Sequence, residues 1–452
     1  MTYRHLEALL PTYKGLEWQD LELPRQVCPW PVQIASDLAL DHLEERDQIR
    51  EHSPVCEDNW QWPKNDIVVF TDLHADGDAF VSSLVASGYI TKHGPEDSDF
   101  ILTKRGKKCR FVINGDCFDK GPSNLRLLQL IHQLMNQKAK LKIIAGNHDI
   151  RFAIGMRSLK NRSNPLLSHL FIRMAPKGAS FFKEIYDDYI IHMPLKKRVK
   201  LGETLSDNEV RQRLYPNADW ENLFRKAAKG LIKDSKIEKE IDGVHKKQIR
   251  FEGRCKELGM TLPMAYAAIN YWQDLFLSSK GEFSWFFKKM KLMYANGSFL
   301  FMHAGIDDVM AKRLIKKGVD GLNKKFHKEL KQDPFNLYYG PMGNIFRTKY
   351  RENDHDFTRE GANILTNCGY KAIVQGHCNR HQGQELVVRY GLLNFECDAS
   401  LDIQTRIKEG LVGKGAATTL IKKSGVILGI SVDYPFVKAY LPDAELATQR
   451  LQ

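Results

Sequence analysis

The chain is poor in the features that would place it in a membrane or a secretory route. No apolar run approaches the about 20 residues that a bilayer span needs, and the longest, such as 425–432, are strand-sized. The first residues lack the basic start and apolar core of a secretory signal. None of the eight cysteines forms a C-x-x-C pair, which argues against a zinc knuckle or a dithiol redox motif. Scattered, reduced cysteines fit a cytoplasmic setting, which is the expectation here. No internal repeat, low-complexity tract, RNA-recognition, zinc-finger or helix-turn-helix pattern is visible. The formal net charge of +12 therefore stands without a nucleic-acid motif. Much of the excess lies in 196–256, which favours a solvated helical face over a nucleic-acid surface.

What is present is an alternation of strands and helices. Ile67 to Phe70 (IVVF) is a short continuous apolar run, as expected of a strand buried on both faces. The runs at 111–113, 141–144, 299–301 and 372–374 repeat it, with helical patterns at 78–87 and 124–138 between them. This order predicts an α/β fold. Each of the five strands leads directly into a polar block: TDLH at 71–74, GDCFD at 115–119, GNHD at 146–149, MHAG at 302–305 and QGHCN at 375–379. Ligands in such sheets gather beyond the carboxyl ends of the strands, where all five blocks sit.

The blocks collect the donors of a two-metal site. Asp72 and His74 flank one residue at a strand end, so both can turn toward one ion. Asp116 follows Gly115, whose missing side chain permits close backbone approach, and its carboxylate could bridge two ions. Asn147 offers an amide oxygen, and His303 and His377 offer imidazoles to the second ion. Mixed oxygen and nitrogen ligation suits manganese, with iron or zinc as alternates, better than calcium. Two such ions would activate a water and clamp a phosphate ester for in-line attack. His148 is placed to protonate the leaving oxygen, and Asp119 to orient that imidazole.

The ordered set resembles the metallophosphoesterase superfamily and, within it, the phosphoprotein phosphatase branch. The branch pattern G-D-x-H, G-D-x-x-D-R-G, G-N-H-E, H-x-G and G-H is matched over about 66–431, excluding 194–293. The resemblance implies a β-sandwich flanked by helices, with two divalent ions. Asp72, His74 and Asp116 would hold one, and Asp116, Asn147, His303 and His377 the other. It also implies His148 and Asp119 as general acid and orienter. Lys120 stands where the branch usually has a phosphate-binding arginine, keeping the charge without the bidentate fork. Asp149 replaces a glutamate, Asn379 stands in place of a histidine common in the wider superfamily, and Ala75 and Asp76 replace a glycine. Arg347, in the stretch Asn344 to Arg347, is the choice for a second phosphate contact, with Arg351 in reserve and Arg151 behind it.

Four segments are expected: an N-terminal helical extension over 1–63 with a helix at 34–51, a catalytic domain over 64–434, a helical insertion over 194–293 read as a projecting hairpin or a solvated cap, and a peripheral tail over 435–452. The strand patterns at 385–390, 392–396, 416–422 and 426–431 are expected to form the second sheet of the sandwich. A basic helical insertion on this core is similar to the Wip group of bacterial effector phosphatases, which would imply translocation into a host cell and a protein partner at the insertion. The leading expectation is a phosphatase of phosphoproteins, on Ser/Thr or Tyr. The alternatives are a dinucleoside polyphosphate hydrolase, which would need an aromatic shelf such as Trp272, Trp285 or Tyr338 and Tyr339, and a binding protein acting through its insertion.

Overall fold

The computed structural model describes residues 6–34, 60–351 and 354–442. The helix expected over 34–51 falls almost wholly outside them. The chain opens with β1 (Val27–Pro29) and β2 (Val32–Ile34), then β3 (Ile67–Phe70), α1 (Gly77–Ser87), the pair β4 (Ile90–Lys92) and β5 (Phe100–Leu102), β6 (Arg110–Ile113), α2 (Asn124–Asn136) and β7 (Lys140–Ile144). A helical stretch follows: α3 (Asn147–Ser158), α4 (Leu170–Ile185), α5 (Leu195–Leu201), α6 (Asp207–Leu214), α7 (Trp220–Ala228), α8 (Asp234–Glu257), α9 (Leu262–Phe276) and α10 (Ser284–Lys289). The strands then resume with β8 (Met290–Lys291), β9 (Tyr294–Asn296) and β10 (Phe299–Phe301). After α11 (Asp308–Gln332), α12 (Pro334–Tyr339) and α13 (Arg359–Asn367) come β11 (Ala372–Gln375), β12 (Glu385–Arg389), β13 (Leu392–Glu396), α14 (Ile403–Glu409), β14 (Ala417–Lys422), β15 (Val426–Ser431) and β16 (Val437–Tyr440).

Two large sheets result, ordered β1-β16-β15-β14-β3-β6-β7-β8 and β2-β12-β13-β11-β10-β9. The continuous apolar runs are explained by burial on both faces. Ile67, Val69, Val112, Ile144, Phe299, Phe301 and Val374 share the core between the sheets. Their neighbours Val68, Phe70, Phe111, Ile113, Leu300 and Ile373 turn the other way into the core shared with the helices. Side chains alternate faces along a strand, so each residue of IVVF has an apolar destination. β3, β6 and β7 run parallel, as do β10 and β11, which brings their carboxyl ends to one edge of the sandwich.

Four expectations need correction. The strand patterns after His377 do not make one sheet: β12 and β13 join β11, whereas β14 pairs antiparallel with β3. The described part of 1–63 is not helical extension alone, because β1 pairs with β16 and β2 with β12, so this segment crosses from one sheet to the other. Trp30 fills the crossing, with its ring edge-on to Phe395 at 5.2 Å. The stretch after 434 is not a peripheral tail as far as it is described, since β16 lies between β1 and β15. The helices of 194–293 do not project. α8 buries a stripe of Ile237, Ile241, Val244, Phe251 and Cys255, packs on α4, and sets Phe251 edge-on to Phe171 and Phe182 at 6.0 and 6.4 Å. An apolar stripe of that width is stable only when covered. β8, at the end of this segment, pairs with β7 inside the larger sheet.

Candidate metal centre

The five polar blocks form the loops at the shared sheet edge, and backbone pairing locks the first two together. Asp72 N donates to Gly115 O at 3.1 Å, His74 N to Asp116 O at 2.9 Å, and Ala75 N to Cys117 O at 2.7 Å. These loops carry unusual backbone conformations. Asp72, His74, Asp116, Asp119, Lys120 and His377 all have φ between 43° and 73°. Each such non-glycine residue costs on the order of 1–3 kcal/mol, and such strain clusters at functional sites. Gly115 has φ +93°, and a Cβ there would lie 2.5 Å from His303 Nδ1. At Gly376 an added Cβ would meet Asp72 Oδ2 at 2.1 Å. Both glycines are therefore set by close approach of donor side chains.

Asp149 has a role that its place in the motif did not reveal. Its fully buried carboxylate accepts backbone N–H groups from Asp116 (3.0 Å), Cys117 (2.9 Å), Phe118 (3.2 Å) and Gly146 (3.2 Å). It thus holds the loop that presents Asp116.

Asp116 lies at the middle of the donors. Its Oδ2 is 3.8 Å from His74 Nε2, 3.9 Å from His148 Nε2 and 3.3 Å from His303 Nε2. Burial alone would oppose charge on this carboxyl, but His303, His148 and His74 outweigh it and hold Asp116 well below the usual carboxylate range. Two overlapping groups could each hold a cation: His74, Asp116 and His148, and Asp116, His303 and His377. Asp72 faces the first, with Oδ1 3.8 Å from His74 Nε2, while its Oδ2 accepts His377 N at 3.0 Å and the Thr71 hydroxyl. Asn147 Oδ1 faces the second, 3.2 Å from His303 Nε2.

The outer nitrogen of each imidazole is anchored. His74 Nδ1 is 3.2 Å from Phe118 O, His303 Nδ1 is 2.9 Å from Asn114 O, and His377 Nε2 is 3.1 Å from Arg347 O. Anchoring one ring nitrogen on a carbonyl points the other at a metal. Burial, with nearby cations, keeps His74 and His377 far below the ordinary histidine value, so both are neutral donors. Carboxylates, an amide oxygen and neutral imidazoles converging on one carboxylate fit a pair of divalent first-row cations. Manganese, iron and zinc all remain compatible with this set.

His148 Nδ1 lies 2.9 Å from Asp119 Oδ2. Burial would raise the Asp119 carboxyl, but the bond to His148 and the charges of His148 and Lys177 outweigh it and depress it. Lys120 Nζ lies 2.8 Å from His74 Nε2. Arg347 is near the site, its Nε donating to Gly343 O at 3.0 Å and its guanidinium 4.3 Å from the Tyr338 ring centre. Arg351 is exposed on a turn closed by Asp354 and touches none of the donors.

Sequence reading missed several neighbours. Lys177 Nζ is 3.5 Å from Asp119 Oδ2, and the fully buried Asp398 carboxyl feels both Asp72 and Lys120. The spacing of Arg173 and Lys177, one turn apart on α4, was the visible signal for the lysine. Asp398 carried none.

Residues 66–246 match the calcineurin-like phosphoesterase family. That stretch contains Asp72, His74, Asp116, Asp119, Lys120, Asn147 and His148, and stops before His303 and His377. No curated protein matches the chain in sequence. Among solved structures, a cold-active protein-tyrosine phosphatase of a psychrophile Shewanella species is similar at 14% identity, over 83% of this chain and 80% of that one, with a TM-score of 0.43. A protein serine/threonine phosphatase from Saccharomyces cerevisiae is similar at 13% identity, over 88% and 87%, with a TM-score of 0.34. Among the described residues, no helix is long and apolar enough to cross a membrane. The first of the two donor groups, His74, Asp116 and His148, lies inside the stretch that matches the calcineurin-like phosphoesterase family.

Proposed function

We propose that this domain is a two-metal phosphomonoesterase acting on phosphoproteins, with manganese as the preferred ion. The observation that carries this reading is the position of Asp116 Oδ2 between imidazole nitrogens of two overlapping donor groups. Asp72, His74 and Asp116 would hold one ion, and Asp116, Asn147, His303 and His377 the other. Bound there, the ions would supply Lewis acidity toward phosphoryl oxygen and an acidified water.

The chain's own groups divide the remaining work. Asp119, kept ionised, fixes the Nδ1–H tautomer of His148 and leaves Nε2 to deliver a proton to the departing oxygen. Lys120 and Arg347 are the cations placed to bind non-bridging phosphoryl oxygens. Aromatic exposure supports the protein reading over the nucleotide one. Trp272 is fully buried and stacked on Phe276, and Tyr338 and Tyr339 are buried beneath Arg173, Arg347 and Lys236. Trp285 stacks on His132. Trp272, Tyr338 and Tyr339 thus offer a base no open face.

The test is turnover of p-nitrophenyl phosphate with added manganese, against Asp116→Asn and His148→Ala. Both variants should be crippled, and unchanged activity in both would remove the assigned site. Phosphopeptide release compared with dinucleoside polyphosphate cleavage then separates the two substrate classes.

A further inference from the structure

Beside the metal centre, four separate stretches of chain bring basic side chains together. Arg151 comes from α3, the helix that begins with Asn147 and His148. Arg173 comes from α4, Lys236 and Lys247 from α8, and Arg347 from the turn after α12. They surround two tyrosines. Arg151 Nε donates to the Tyr338 hydroxyl at 3.1 Å, and the Arg347 and Arg173 guanidinium carbons lie 4.3 and 5.1 Å from the Tyr338 ring centre. Lys236 Nζ lies 5.2 Å from the Tyr339 ring centre. The cluster adjoins the metal donors directly, because Arg347 O holds His377 Nε2 at 3.1 Å.

The cluster is short of negative charge. Arg173 pairs with Glu240. Among the described residues, no carboxylate lies within ion-pair distance of Arg151, Arg347, Lys236 or Lys247. All four residues are partly exposed. The crowding shows in the ionisation of the cluster. Burial, then the charge of Arg347, pushes Lys236 down, and burial, then Arg173, does the same to Lys247. Burial would raise Tyr338, but Arg173, Arg151 and Arg347 outweigh it and bring the phenol down to about 6. Five cations facing one carboxylate, Glu240, and one acidic phenol, Tyr338, leave an excess of positive charge, and a dianion held among them relieves that repulsion.

We propose that Arg151, Arg173, Lys236 and Lys247, next to Arg347, form a second anion subsite that receives another phosphorylated residue of the same phosphopeptide whose phosphoester lies at the metal centre. This rests on the phosphoprotein reading above and adds a substrate class to it: multiply phosphorylated segments. Guanidinium forks and ammonium groups suit a phosphate dianion better than a single carboxylate. The covered faces of Tyr338 and Tyr339 disfavour a nucleoside in the same place.

The test uses the full chain loaded with manganese and the double variant Lys236→Ala/Lys247→Ala, with Lys236→Arg as a charge-keeping control. For a doubly phosphorylated peptide, KM should rise by about tenfold, the loss of roughly one charge-assisted contact, with kcat unchanged. A singly phosphorylated peptide and p-nitrophenyl phosphate should change by less than about twofold, and Lys236→Arg should behave as wild type. Fluorescence anisotropy of the labelled doubly phosphorylated peptide on chelator-treated protein should show the same weakening without turnover. Equal losses on both peptides, no loss on the doubly phosphorylated one, or a loss confined to a dinucleoside polyphosphate would each overturn the subsite. A wild-type protein that hydrolyses p-nitrophenyl phosphate and neither peptide would instead sink the phosphoprotein reading, and this inference with it.

Discussion

The floor of the site and its helical wall are built on opposite principles. The floor consists of loops a few residues long, each following a buried strand, with donors set by local sequence and pinned by backbone pairs such as His74 N to Asp116 O. The wall gathers Arg151, Arg173, Lys236, Lys247 and Arg347 from segments far apart in the chain, and α8 reaches it by packing Phe251 against α4. The contrast suggests that the floor sets the reaction and the wall sets what is admitted to it. Strained backbone supports the division, since non-glycine residues with positive φ recur among the donors Asp72, His74, Asp116 and His377 and are absent from the five wall cations.

The contrast can be broken most sharply at the floor. Asp116→Asn should lower kcat on any phosphomonoester by at least about 10³-fold, because it removes charge from both donor groups at once. Stopped assays with excess manganese measure it. A loss confined to peptide substrates would show that Asp116 is not part of the chemistry. On the wall side, Phe251→Ala should cost about 3–5 kcal/mol of stability, the usual penalty for emptying a buried phenylalanine site. It should leave manganese stoichiometry intact in the folded fraction. Thermal unfolding and metal analysis of the same sample would check both halves.

His148→Ala should reduce kcat by about 10²–10⁴-fold with little change in metal content, as expected for loss of a general acid. A substrate with a good leaving group, such as p-nitrophenyl phosphate, should suffer less than a phosphopeptide. Asp119→Asn should cost less, about 10–100-fold, since the imidazole remains and only its orientation and tautomer are loosened. An Asp119→Asn loss larger than that of His148→Ala would reverse the assigned roles.

Much of the floor was legible because its signals are local. A short strand rich in apolar residues followed by Asp72 and His74, or by Gly146 and Asn147, places donors at a sheet edge before any tertiary contact is known. Asp149 was visible only as an acidic substitution, because its four backbone partners belong partly to another loop. The wall was not legible. Lys236 and Lys247 are ordinary members of a charged helix until α8 packs on α4, and Lys177 meets Asp119 only through the fold. Strands β1, β2 and β16 were missed for a related reason. They are three or four residues long, with Pro29 ending β1 and Pro31 just before β2, and their pairing is wholly long-range.

The central claim is that Asp116 serves two cations at once. Electron paramagnetic resonance of the manganese-loaded protein tests it directly. The account predicts two ions per chain with an exchange-coupled spectrum, replaced in Asp116→Asn by the signal of isolated manganese. A single uncoupled ion in the wild-type protein, or a coupled spectrum that survives Asp116→Asn, would contradict it.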